Sequence, residues 1–312
     1  MTALYRNFTT QRDLDAAYDV EAAVPDFMAY ARQFVTGSAE FRARTRCRLG
    51  VRYGPTVDEY ADIFPADRRG APILIFIHGG FWRSLSAGDF SFCAEGPQRA
   101  GITTVVANYT LAPKATMGEI IRQMRALVAW TFRHAKDIGG NESEIYVCGH
   151  SAGGHLTAEM MLTDWARDYG LPPGLIRGGI PISGLFDLEP IKLLSFVQPD
   201  LRLTDGDVAA HSPAAHVRGG QPPTLLTYGS DEPSEFLRQS DEFLAAWRKA
   251  GNRASFLPQL GRNHFTAITE LADPASTLCR AIFDFMGHTP RRVPTGCRSA
   301  VPSVASLMRT AS

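Results

Sequence analysis

Residues 144–156, E-I-Y-V-C-G-H-S-A-G-G-H-L, restrict what this chain can fold into more than any other stretch. Ile145, Tyr146, Val147 and Cys148 form a short apolar run suited to a buried strand, and 152–161 has the composition of a helix. Ser151 therefore stands where a strand turns directly into a helix, between Gly149 and Gly153, in the spacing G-x-S-x-G. A serine lifted onto so tight a bend takes strained backbone angles, and a side chain at either glycine would crowd the adjoining strand or helix. The bend predicts an exposed hydroxyl at a helix N-terminus, where the Ala152 amide and the positive end of the helix dipole can meet developing negative charge. A dinucleotide fingerprint fails here, because the place of its second glycine is taken by Ser151.

The flanking pattern predicts an α/β fold. Continuous apolar runs at 72–82, 102–109, 176–183 and 223–229 read as strands covered on both faces, with a further strand at 254–260. Helical stretches at 89–100, 117–138, 234–250 and 275–286 alternate with them, which implies a mostly parallel central sheet with helices on both faces. Alternation around Leu49, Val51 and Tyr53, a Y-G-P-T turn and residues 58–64 predict a hairpin of half-buried strands before the first central one. Two helices broken at Pro25 precede that hairpin. Phe27, Met28, Tyr30 and Phe34 would give them an apolar face, so 1–46 is expected to cover the site. The Pro-rich segment 186–222 is too long for a simple connection and reads as an insertion near the site. Residues 1–287 are expected to form a single domain, and 288–312, rich in Arg, Ser and Pro, a disordered tail.

Composition narrows the function classes. Equal counts of 32 basic and 32 acidic residues leave no net charge to favour nucleic acid, and the four tail arginines are too few to change that. The first residues have no apolar core of signal-peptide length, and no apolar run approaches a membrane span, so a cytoplasmic protein is expected. Five widely spaced cysteines without a C-x-x-C pair indicate free thiols rather than a disulfide framework or zinc site. The spacings of His150 with His155 and of His211 with His216 do not match H-E-x-x-H, and no phosphate-binding G-x-x-x-x-G-K-[ST] is present. Neither metal nor cofactor is expected. A homodimer is compatible with the sequence.

A serine hydroxyl needs a base, and the base needs an acid to hold its tautomer. In a parallel sheet of this kind they are expected downstream, on loops at the carboxyl ends of strands. T-L-L-T-Y-G-S-D places Asp231 just past one strand, and L-P-Q-L-G-R-N-H-F places His264 past the next. Asp187, after the preceding strand, is the alternative acid, and Glu232 is expected to point elsewhere. The turn His78-Gly79-Gly80-Phe81 would bring the Gly80 and Phe81 amides opposite that of Ala152 as an oxyanion hole, with His78 bracing the loop.

H-G-G-F-W at 78–82 together with G-H-S-A-G-G-H-L at 149–156 resembles the arylformamidases, the eukaryote-type kynurenine formamidases of the α/β-hydrolase superfamily marked by H-G-G-x-W. The likeness extends through A-P-K-A-T at 112–116, S-G-L-F-D-L-E-P-I at 183–191 and D-E-P-S-E-F-L-R-Q-S at 231–240, and covers most of 50–285. The family's nucleophile, acid and base then fall on Ser151, Asp231 and His264. Two departures stand out: D-E-P-S-E-F replaces the family's usual D-S-P-E-F, and the Arg-rich tail is extra. The resemblance implies hydrolysis of N-formyl-kynurenine to formate and kynurenine through a formyl-enzyme, with Phe81 and Trp82 flanking the aryl group and no cofactor. A broad carboxylesterase or amidase on the same machinery, acting on short acyl or aryl esters, is the alternative, and the expected partner is a small-molecule aryl amide or ester substrate. A non-catalytic binding module would have no need of all three triad residues.

Overall fold

A computed structural model describes residues 3–289. The disordered tail expected at 288–312 lies outside the described residues from 290 onward. His288 itself packs, with Nε2 at 2.8 Å from the Ala100 carbonyl.

Eight strands form one sheet: β1 (Arg48–Arg52), β2 (Tyr60–Phe64), β3 (Ala71–Ile77), β4 (Thr103–Ala107), β5 (Gly140–His150), β6 (Ile176–Ile182), β7 (Thr224–Gly229) and β8 (Ala254–Gln259), in the order β1-β2-β4-β3-β5-β6-β7-β8. β1 and β2 pair antiparallel, and β3 through β8 are parallel. β3 is buried at every position because helices cover both its faces, which is why its sequence is a continuous apolar run rather than an alternating one. β3 also lies between β4 and β5, so the chain leaves it in one direction along the sheet and returns on its other side. Loops at such a reversal diverge and open a crevice at the carboxyl ends of the strands. The two loops meeting there follow β3 and β5, whose last residues are paired as Ile77 with Gly149.

Eleven α-helices lie among the described residues. The N-terminal pair is α1 (Gln11–Ala16) and α2 (Phe27–Arg44), each started by a side-chain cap, Thr10 on the Asp13 amide and Asp26 on the Ala29 amide. The stretch expected as one helix at 89–100 is instead a 3-10 segment, Ala87–Ala94, followed by α3 (Glu95–Arg99). Pro97 has no amide to give and is tolerated in the first turn of a helix, so a fresh helix begins just before it. α4 (Met117–Arg133) buries Ile120, Ile121, Met124, Leu127 and Val128, the spacing of a single apolar face. α5 (Ala152–Leu162) is buried all round, which accounts for its small and apolar composition. Its one carboxylate, Glu159, faces Arg125 at 3.3 Å, and burial raises its pKa to about 7.

After α6 (Trp165–Tyr169), the segment 186–222 is more ordered than its proline content suggests: it holds α7 (Glu189–Lys192), α8 (Gln198–Leu201), α9 (Asp205–His211) and a 3-10 turn, Pro213–His216. Pro190, Pro199 and Pro213 each sit in the first turn of their helix, where a missing amide costs nothing, so these prolines start helices rather than mark loops. α10 (Ser234–Lys249) and α11 (Thr277–Phe285) close the domain. No helix among the described residues is long and apolar enough to cross a membrane.

Candidate active site

Ser151 follows β5 and precedes α5 with φ 57° and ψ −120°, a conformation a non-glycine residue holds only when its surroundings force it. The surroundings are tight. A Cβ at Gly149 would overlap the Gly153 carbonyl, and one at Gly153 would overlap that of Ile77. Only glycine lets β3, β5 and α5 approach this closely. The Ser151 amide is anchored to the Ile182 carbonyl at 2.9 Å, and, contrary to the exposed hydroxyl expected of the bend, the site is enclosed by the loops packed over it, with Ser151 and His264 each 3% exposed.

His264 lies on the loop after β8, with Nδ1 2.6 Å from Glu232 Oε2. Its ring is flanked by His150, the residue before Ser151, at 4.5 Å between centroids, and by Phe236 at 4.6 Å. His150 Nε2 also donates to the His264 carbonyl at 2.9 Å. Burial, and secondarily His264 itself, hold His150 far below the usual histidine pKa, so it serves as a neutral brace.

The carboxylate on His264 is Glu232, and this corrects the sequence-based choice of Asp231. The Glu232 amide donates to the Gly229 carbonyl at 3.3 Å, closing a four-residue turn. Asp231 occupies the outer corner of that turn, is exposed, and accepts from the Ser230 hydroxyl at 2.8 Å. Glu232, one residue on, turns inward to the carboxyl ends of β6 and β7 with its side chain fully buried. Its Oε1 accepts from the Gly229 amide at 2.7 Å and the Ser183 hydroxyl at 2.6 Å. The alternative acid, Asp187, is engaged elsewhere, accepting from Tyr5 Oη at 2.8 Å and from the Glu189 amide at 3.0 Å.

On the loop after β3, Gly80, Phe81 and Trp82 all have positive φ, at 104°, 46° and 55°. A run of left-handed residues turns successive amides to one side, and the amides of Gly80, Phe81 and Ala152 find no acceptor among the described residues. The Gly80 carbonyl faces the other way, accepting from Arg83 and Ser84 at 3.0 and 3.1 Å. His78 braces the turn: its ring stacks on Tyr109 at 4.4 Å, Nδ1 lies 2.7 Å from the Gly79 carbonyl, and burial lowers its pKa to about 4.

Trp82 is not a wall of the cleft. It is 0% exposed, edge-on to His155 at 5.0 Å, and its carbonyl accepts from the Ala112 amide. Phe81 alone of the two remains part-exposed, edge-on to Phe196 from the segment between α7 and α8 at 5.7 Å. Because Trp82 fills core space beneath the loop, Trp82→Ala is expected to cost about 3–5 kcal/mol of stability. Urea unfolding checks this, and a loss below about 1 kcal/mol, the ordinary effect of a point change, would mean the indole is not held in the core.

The N-terminal segment covers these loops. Phe27 and Tyr30 pack on Phe265 at 5.2 and 5.3 Å, and Tyr30 Oη accepts from Asn263, so α2 grips the residues on either side of His264. Tyr18 Oη donates to Glu235 at 2.9 Å, three residues after Glu232. Phe34 packs on Phe90 and Phe92, whereas Met28, expected on the apolar face, points to solvent. The segment 186–222 completes the enclosure, with Asp200 paired to Arg83 at 2.6 Å and the Ser195 amide donating to Asp15 at 2.9 Å.

A strained serine after β5, a buried histidine and carboxylate pair after β8 and β7, and free amides after β3 are the arrangement of an α/β hydrolase. The chain belongs to that family, whose model, described as alpha/beta hydrolase fold, matches residues 74–267. Within it the sequence is similar to the kynurenine formamidase of Danio rerio, 29% identical over 268 residues that cover 84% of this chain and 89% of the relative. It is also similar to the esterase LipQ of Mycobacterium tuberculosis, 27% identical over 239 residues covering 71% of this chain and 56% of that one. A crystal structure from Silicibacter sp. TM1040 matches with a TM-score of 0.75 at 28% identity, covering 86% of this chain and 98% of its own. Fold, family and relatives together make the protein a hydrolase.

Proposed function

We propose that this hydrolase cleaves aryl formamides, N-formyl-kynurenine foremost, through Ser151 as nucleophile, His264 as base and Glu232 as the acid that orients His264. The observation that carries the reading is the Glu232–His264 pair, buried beside the residue that precedes Ser151. With its Nδ1 proton directed at Glu232, His264 leaves Nε2 free to take the Ser151 proton. Ser151 Oγ attacks the formyl carbon, and the oxyanion is received by the Gly80, Phe81 and Ala152 amides. As the C–N bond breaks, His264 returns the proton to the departing aniline nitrogen. Water then adds to the formyl-serine, giving its proton to His264, and the intermediate collapses to formate and free serine.

Two features support a formyl group. The relatives from Danio rerio, Salmo salar and Drosophila melanogaster are kynurenine formamidases. Enclosure of Ser151 also favours the smallest acyl group, leaving the flat leaving group to the Phe81 and Phe196 side. The second reading, a carboxylesterase, is supported by the similarity to mycobacterial esterases. A matched series of formyl, acetyl and butyryl anilides and p-nitrophenyl esters separates the two by specificity constant. We expect kcat/KM to fall with each added methylene by the equivalent of about 1–3 kcal/mol. A rise from formyl to butyryl would refute the formamidase reading in favour of the carboxylesterase.

A further inference from the structure

Glu232 carries one more rotatable bond than an aspartate would, so the carboxylate that orients His264 needs fixing at its far oxygen as well as at the near one. Oε2 faces His264 and Oε1 faces the Gly229 amide and the Ser183 hydroxyl, the latter at 2.6 Å. Ser183 follows β6, so the pair is bridged across β6 and β7. Its residue is 0% exposed, and its hydroxyl has no other hydrogen-bond partner among the described residues than Glu232. Its φ is 52°, in the left-handed region, while its amide remains tied to the Thr227 carbonyl at 2.8 Å. A glycine would hold that backbone with less strain, yet the position carries a small side chain whose hydroxyl donates to Oε1.

We propose that Ser183 is a positioning residue for the reaction, its hydroxyl holding the Glu232 carboxylate in the one rotamer that faces His264. The inference rests on the reading of Ser151, His264 and Glu232 given above. Ser183 touches no reacting atom, so its loss should lower kcat and leave KM within twofold.

The test compares Ser183→Ala, Ser183→Gly, Glu232→Gln and the double variant Ser183→Ala/Glu232→Gln, using p-nitrophenyl acetate turnover and the rate of covalent labelling by a fluorophosphonate probe. Ser183→Ala and Ser183→Gly should each slow kcat and labelling by about ten- to hundredfold, the effect of removing one donor from a charged acceptor. The glycine variant should melt no lower than the alanine variant, since it relieves the backbone. With Glu232 already changed to Gln, the Ser183 substitution should add less than about twofold, because residues acting through one another are non-additive. Wild-type rates in Ser183→Gly would overturn the proposal by showing that the hydroxyl is not needed, and losses that multiply in the double variant would overturn it by showing that Ser183 does not act through Glu232. Ser151→Ala serves as the control. If it still takes the label at wild-type rate, the underlying reading fails. If it takes none while Ser183→Ala labels normally, only the role of Ser183 fails.

Discussion

Ser151→Ala is expected to fold as the parent does and to lose turnover by about 10⁴ or more, on every substrate the protein hydrolyses. The fold should survive because the change removes one oxygen from a residue whose backbone is held by its neighbours. Its amide stays bonded to the Ile182 carbonyl and its carbonyl to the amides of Gly154 and His155. Activity should not survive, since no other hydroxyl occupies the turn between β5 and α5. Steady-state turnover of purified protein, with circular dichroism as the check on folding, decides it. A variant that keeps even a tenth of parental turnover, with contamination excluded, would remove Ser151 from the mechanism.

The second large effect separates two adjacent carboxylates. Glu232→Gln places an amide where His264 Nδ1, the Gly229 amide and the Ser183 hydroxyl all converge on oxygen. The amide offers one oxygen and one donor, so either His264 is driven to the wrong tautomer or a donor is set against the Gly229 and Ser183 side. An acid-to-amide change of this kind in a serine triad costs about 10⁴ in kcat. Asp231→Asn should stay within about twofold, as expected for a surface change away from the chemistry. Parallel kcat measurements on the two variants are sufficient. The reverse ranking would return the acid to Asp231 and require a different loop after β7.

The choice between those two residues shows where local pattern ends. Placement of a carboxylate just past β7 was readable, because strand ends and their order follow from apolar runs. Which of Asp231 and Glu232 turns inward depends on the Gly229 turn, whose last residue faces the Ser183 hydroxyl and His264. A signal was nevertheless present. Matched without a gap to the family's D-S-P-E-F, the stretch E-P-S-E-F at 232–236 puts Glu232 under the acid and removes the apparent one-residue difference. Ser183 and His150 left no comparable trace, since their roles consist of contacts to residues 49 and 114 positions away.

The same boundary runs through the rest of the molecule. By itself the sequence determined the alternation of strands and helices, the serine turn, the glycines beside it and the loop that presents free amides. These follow from apolar periodicity and from steric limits on single residues, which act over a few positions. Tertiary structure alone decided that Trp82 is buried while Phe81 stays part-exposed against Phe196, that Pro190, Pro199 and Pro213 begin helices, that the apolar face of α2 clamps the His264 loop in particular, and that Glu232 rather than Asp231 holds the histidine. Each of these turns on which distant segment fills the space beside a residue, and packing between segments far apart in the chain is not written in the local pattern of either one.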